Sequence, residues 1–232
     1  MTHSSLSERI ARIARKLQDA HDPLETMQTA VDLAAAEVDG CDGAALSIVH
    51  RRRRVDTPAA TSETARIADQ LQYELGEGPC LDAIWEERLV HSSDLATDPR
   101  WPTWGPKVAA ETGARSIMCF QLFTEADTVG ALNLYSERRG SFDAEDRDSG
   151  VALAAHVAVA VRAAQQVQTM SEGLESRTVI GQAQGILMER FEIDEEHAFA
   201  LLSRLSQDTN TRLRSLADEI VRTRQVPSGD PA

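Results

Sequence analysis

Two kinds of hydrophobic spacing alternate along this chain. Near the start, "LSERIARIARKL" places Leu6, Ile10, Ile13 and Leu17 at intervals of four, three and four, one stripe of a helix. "DPLETMQTAVDLAAAEV" continues with Leu24, Met27, Val31, Ala34 and Val38, with Asp22 placed to cap and Pro23 at the first helical position. Strand-like "AALSIVH" and "VDTPAAT" follow, on either side of "RRRR" at 51–54, which reads as an exposed turn. "SETARIADQLQYEL" is helical until "GEGP" stops it, and "CLDAIWEER" is a short helix. "LVHSSDL" is extended, and "DPRWPTWGPKVAAETG" turns and then coils into a helix. "RSIMCFQLF" and "TVGALNLYS", joined by the polar "TEAD", make the clearest strand pair.

Beyond "SFD" the spacing is helical throughout. No proline interrupts the stretch from there to "GILMER", and Asp143 is a natural N-cap. Leu153, Val157, Ala160, Ala164, Val167, Ser171 and Leu174 alternate steps of four and three, an alanine-rich heptad seam. Its first half is expected to pack on the sheet and its second half to pair with another copy as a coiled coil. Two more helices follow, "FEIDEEHAFALLSRLSQDTN" behind Asp194 and "NTRLRSLADEIVRTR" from Asn210 or Thr211. Within "IGQAQGILMER", Gly181 and Gly185 lie four apart on one side of a helix. Each costs a helix about 1 kcal/mol against alanine, so a close approach of another backbone is expected there.

Charge and cysteine content narrow the picture. The formal net charge of −13 argues against nonspecific nucleic-acid coating, which depends on positive charge. Cys41, Cys80 and Cys119 are sparse and far apart, which suits a reducing compartment and offers no zinc spacing. No apolar run is read as membrane-spanning, and "MTHSSLSERI" lacks the basic-then-apolar order of a signal peptide, so a cytoplasmic protein is expected. No catalytic residue, metal site or cofactor is expected.

Specific motifs then add what periodicity does not. "RTVIGQAQGILMERFEIDEEHAFALLSRLSQDTNTRLRSLADEIV" resembles the ANTAR domain, an RNA-binding antitermination module. The likeness rests on Ala183-x-Gly185-x-x-Met188, on Ala198-Phe199, on "LSQDTNT" and on Arg214-x-x-Ala217. Upstream, "ELGEGPCLDAI", "DPRWPTW", "GARSIMCFQL" and "GALNLYS" resemble a GAF domain. The resemblance implies an α+β protein: a GAF-like antiparallel sheet flanked by helices, linked by a long helix to a three-helix, all-α ANTAR domain. The expected layout is an N-terminal helix over 1–22, the GAF-like sensor over 23–165, coiled linker and ANTAR domain over 166–226, and a disordered tail over 227–232. It further implies a homodimer that binds tandem stem-loops in mRNA leaders and so prevents a terminator hairpin from forming.

Candidate RNA contacts follow from the matched motifs: Ala183, Gln184, Gly185, Met188, Arg204, Asn210, Thr211, Arg212 and Arg214. Residues 171–226 carry seven arginines against ten acidic residues, a net of −3, yet Arg212, Arg214, Arg222 and Arg224 gather in the last helix. Guanidinium groups offer planar, bidentate bonding to phosphates and bases. Two positions depart from the family: Gln184 stands where a lysine is frequent, and Ser203 where an arginine is common. These departures motivate a second reading, a GAF-based signalling and dimerisation protein without RNA binding. A third reading is a thiol-dependent reductase using Cys41, Cys80 and Cys119. For the sensor, Tyr73, Cys80, Trp101 and Trp104 are candidates to line a pocket for an unknown small molecule, with plain core packing as the other reading. His91 and His156 have no partner at metal-ligand spacing.

Overall fold

The computed structural model describes residues 6–20, 22–50, 54–124 and 127–226. Most of "RRRR", half of "TEAD" and the 227–232 tail lie outside the described residues. The chain forms two compact units, which divide between Gln166 and Val167.

The first unit begins with helices α1 (Leu6–Gln18) and α2 (Pro23–Glu37), the latter capped by Asp22, which accepts from the Glu25 amide at 2.9 Å. Strands β1 (Gly43–Val49) and β2 (Val55–Ala60) follow, then helices α3 (Glu63–Leu75) and α4 (Pro79–Trp85). Strand β3 (Leu89–Ser92), helix α5 (Trp104–Thr112) and strands β4 (Ser116–Phe123) and β5 (Thr128–Ser136) complete the sheet. Strand order is β2-β1-β5-β4-β3, with antiparallel pairing throughout. Pro58 has no amide to give a central ladder, and it sits on the edge strand β2.

Successive side chains of a strand point to opposite faces, and here both faces are covered. Leu46, Ile48, Met118, Phe120, Leu132 and Leu134 meet Ile13, Leu17, Met27 and Val31 of α1 and α2. The opposite face carries Ala45, Ile117, Cys119, Ala131 and Tyr135 against α3, α4 and α5. This is why β1, β4 and β5 read as almost continuous apolar runs instead of clean alternations.

Helix α6 (Ala144–Phe191) is one continuous helix that contributes to both units. Its cap is reciprocal: Asp143 accepts from the Glu145 and Asp146 amides, while the Asp146 carboxylate accepts from the Asp143 amide. Leu153, Val157 and Val161 bury against the first face of the sheet, as the heptad's first half requires. Gly150 has its own reason here: a Cβ at that position would overlap the ring of Phe120. Among the described residues, α6 is the one helix long and apolar enough to cross a bilayer by length and composition, where the sequence reading saw no such run. Leu153, Ala154, Val157, Ala158 and Val161 of that helix are buried in the first unit, while Val151 and Val159 stay exposed.

The second unit holds the rest of α6 with α7 (Glu195–Asp208) and α8 (Leu213–Thr223). Its core is Ala183, Leu187, Ala198, Leu202, Leu216, Ala217 and Ile220. Phe191 and Phe199 stay largely exposed, so this small core is aliphatic.

Candidate functional site

The two glycines face outward. A Cβ built at Gly181 or Gly185 meets nothing within 4 Å, so close packing among the helices of this unit does not explain them. The core is served by Ala183 and Leu187 on the other side of the helix. At 100° per residue, Gly181 and Gly185 fall on the same stripe as Val167, Met170 and Leu174. Those three side chains are 67%, 70% and 63% exposed. The outward side of α6 is therefore an apolar strip followed by bare backbone.

The matched motif residues distribute over different surfaces. Ala183 is fully buried and Met188 is half-buried against the core. The Gln184 amide donates to the Glu195 carbonyl at 3.3 Å, on the α7 side. Arg204 is exposed on α7. Asn210, Thr211 and Arg212 form the α7–α8 turn, where Asn210 takes a left-handed φ of 48°. Thr211 is held locally: its hydroxyl donates to the Thr209 carbonyl, and its own carbonyl accepts from the Ser206 hydroxyl at 2.6 Å.

Neither Asn210 nor Thr211 caps the last helix. Arg212 occupies the N-cap position, exposed, with no side-chain cap bond. The first amides of α8 thus lack a side-chain acceptor, and the helix dipole adds partial positive charge there. Arg214, two residues on, pairs with Glu175 of α6 at 3.0 Å. Both partners are well exposed, so this pair is worth about 0–1 kcal/mol and opens readily.

The sequence reading placed Arg224 in the last helix but missed the groove it shares with Arg190. Gly185, Gln182 and Glu189 of α6 line a groove of about 710 Å³ with Val221, Arg190 and Arg224. Arg190 donates to the Arg224 carbonyl at 2.9 Å, and Arg224 ends α8 in a left-handed conformation, φ 58°. Arg190 and Arg224 are 34 residues apart in sequence and meet where the end of α8 reaches α6. Gly185 therefore accompanies the end of α8, whereas Arg212 and Arg214 mark its start.

In the first unit, Tyr73 and Cys80 both donate to the Ser47 hydroxyl oxygen, at 2.7 and 3.1 Å. Ser47 belongs to a buried network centred on Asp69 of α3. Tyr135 donates to that carboxylate at 2.5 Å, Asn133 at 2.9 and 3.0 Å, and Thr57 at 2.9 Å. Burial pushes the Asp69 carboxyl up despite these donors, and it holds the Tyr73 and Tyr135 hydroxyls neutral. The Asn133 side-chain oxygen is buried without a partner. Trp101 and Trp104 pack edge to face with centroids 6.0 Å apart. Their indole N–H groups donate to Asp82 and to the Ala68 carbonyl, and both rings are core. Beside Tyr135 lies a recess of about 100 Å³, bordered by Ser62, Thr64 and Glu137, room for a few waters.

The cysteines are all free. Burial raises each thiol, Cys41 to about 12 and Cys80 and Cys119 also well above the ordinary value, so none is a thiolate at neutral pH.

Family comparisons decide the identity of both units. The GAF domain model matches residues 20–162, and the ANTAR domain model matches residues 168–221. The chain belongs to the GAF family and carries an ANTAR domain after it. This GAF–ANTAR protein thus joins a signal-sensing domain to a module of the RNA-binding antitermination regulators. No curated protein matches it in sequence. Among solved structures, the GAF domain of a phosphoenolpyruvate-protein phosphotransferase from Coxiella burnetii superposes with a TM-score of 0.58 at 15% identity, over 71% of this chain and 96% of that one. The free methionine-R-sulfoxide reductase of Neisseria meningitidis, solved with its substrate, gives 0.57 at 19% identity, over 72% and 96%. At such identities the likeness is one of fold.

Proposed function

We propose that this GAF–ANTAR protein is a cytoplasmic, homodimeric transcription antitermination regulator, and not an enzyme. Its ANTAR unit binds paired stem-loops in nascent mRNA leaders and keeps a terminator from forming, and its GAF unit biases that activity in response to a signal. Unstacked loop bases are the accessible, sequence-specific feature of RNA. The observation that carries the proposal is the uncapped start of α8, where Arg212 stands exposed beside the left-handed Asn210. A helix N-terminus with an adjacent guanidinium suits a phosphate. The exposed strip of Val167, Met170 and Leu174 supports the coiled-coil homodimer. Layout is proposed as an N-terminal helix to residue 22, sensor to 165, and coiled linker with ANTAR domain to 226.

Replacing both Arg212 and Arg214 with alanine tests the assignment. Binding to a stem-loop RNA is expected to weaken by tenfold or more, at about 1–3 kcal/mol per base-reading arginine, while dimerisation persists. Equal affinity of the wild type and the double variant would remove these residues from the interface. One observation favours the reading without RNA: Gln184, where the family often has a lysine, is engaged with the Glu195 carbonyl. That reading predicts a dimer with no RNA affinity at low salt.

A further inference from the structure

The sheet face that α2 and α6 cover is not covered to its edge. Between the β3–β4 edge and α6 runs a groove of about 1000 Å³ that belongs wholly to the GAF unit. Its walls include Leu89 and Phe120 of the sheet, with Phe123, Val151 and Val159 still 42%, 51% and 64% exposed. Small-molecule sites commonly span about 300–1000 Å³, mostly apolar with a few placed polar groups. This groove has that composition, and it is separate from the Asp69 network, which lies on the opposite face of the sheet.

The polar groups of the groove have one sign. Among the described residues that line it, Arg88 and Arg162 are the charged ones. The Arg88 guanidinium rests over the Phe123 ring, 4.5 Å from the centroid. Arg162 reaches Asp127 at 3.5 Å between exposed side chains. In a chain of net charge −13, an apolar channel whose charged lining residues, among those described, are two arginines is a local inversion of charge. An isologous pairing of two such grooves would set the arginines of one copy against those of the other, so the groove does not suit a second copy.

We infer that this groove binds an amphipathic carboxylic acid, its hydrocarbon chain against Phe123, Val151 and Val159 and its carboxylate on Arg88. Guanidinium matches carboxylate in a planar, bidentate way. The bound chain would lie along α6, the helix that continues into the ANTAR unit. The inference deepens the sensory role proposed for the GAF unit, yet binding is read without RNA, so its failure and the failure of antitermination are separate results.

Calorimetric titration of the full chain with decanoate below its micelle concentration, and with 1-decanol as the uncharged control, tests it. Saturable binding of one decanoate per chain is expected, with decanol weaker. Arg88→Met is expected to weaken decanoate about tenfold, the worth of one charged hydrogen bond, and to leave decanol unchanged. Val159→Asp is expected to abolish both, with tryptophan-monitored melting confirming that the unit still folds. The absence of saturable decanoate binding would overturn the inference, as would equal affinity in the wild type and both variants. A dimer that dissociates on Val159→Asp while decanoate binding persists would instead give the groove to a second copy, and would overturn it too.

Discussion

Asp69→Asn is the most informative single change in the GAF unit. Asparagine keeps the volume of Asp69 but turns one acceptor oxygen into an NH2 group. The donors that converge there come from Tyr135, Asn133, Ser47 and Thr57, so donor would face donor. Losing this acceptor and leaving several buried donors unpaired costs about 2–4 kcal/mol. For a unit of this size each kcal/mol moves Tm by about 2–4 °C, so a fall of about 10 °C is expected. Trp85, Trp101 and Trp104 are the chain's three tryptophans and all lie in this unit, so a fluorescence melt reports it alone. The pH dependence supplies a second readout. Burial raises the Asp69 carboxyl above its ordinary value. Between the two values the native state holds a proton that the unfolded state has released. The contribution of Asp69 to wild-type stability is therefore full below the ordinary carboxylate range and is lost as pH rises through the raised value. The neighbouring Tyr73, Tyr135, Cys80 and Cys119 are all shifted upward and stay neutral across that window. The asparagine variant has no such proton and lacks that descent. A variant that melts within a degree of wild type, or with the same pH slope, would refute the reasoning.

Gly181→Ala and Gly185→Ala have open space for a Cβ and should each stabilise the ANTAR unit by about 1 kcal/mol, read by circular dichroism melting. If bare backbone serves a partner, the same variants should bind RNA or self-associate less well; a destabilised helix would contradict the outward placement. Leu202→Ala removes a fully buried side chain from an aliphatic core and should cost about 2–5 kcal/mol, unfolding that unit while the tryptophan melt of the GAF unit stays put. Met170→Glu with Leu174→Glu should convert the proposed dimer to monomer in sedimentation velocity without lowering helix content, since neither side chain is buried in the chain.

Much of the architecture could be read from spacing alone, for a physical reason: a stripe at three and four, or an alternation of two, is enforced by what must be buried. Ile13, Leu17, Met27 and Val31 all reached the core that their periodicity demanded. Spacing says that Gly181 and Gly185 share a side, but not which side; only the packing of Ala183 and Leu187 shows it to be outward. Asp69 was invisible because an aspartate in "ETARIADQLQYEL" reads as the wet face of an amphipathic helix. Its burial depends on Ser47, Asn133 and Tyr135 arriving from two strands. Trp101 and Trp104 looked equally suited to core and pocket, since an indole serves either; their satisfied N–H groups place them in the core. The pairing of Arg190 with the Arg224 carbonyl has no local signal at all.

The central claim is that the ANTAR unit of this protein reads paired RNA loops as a dimer. A titration of the full chain against an RNA with two adjacent short stem-loops, beside a single-loop control at two salt concentrations, tests it most directly. The account predicts tight binding that requires both loops and weakens as salt rises, because arginine–phosphate contacts release counterions. Equal binding of the one-loop and two-loop RNAs, or no binding at low salt, would contradict it.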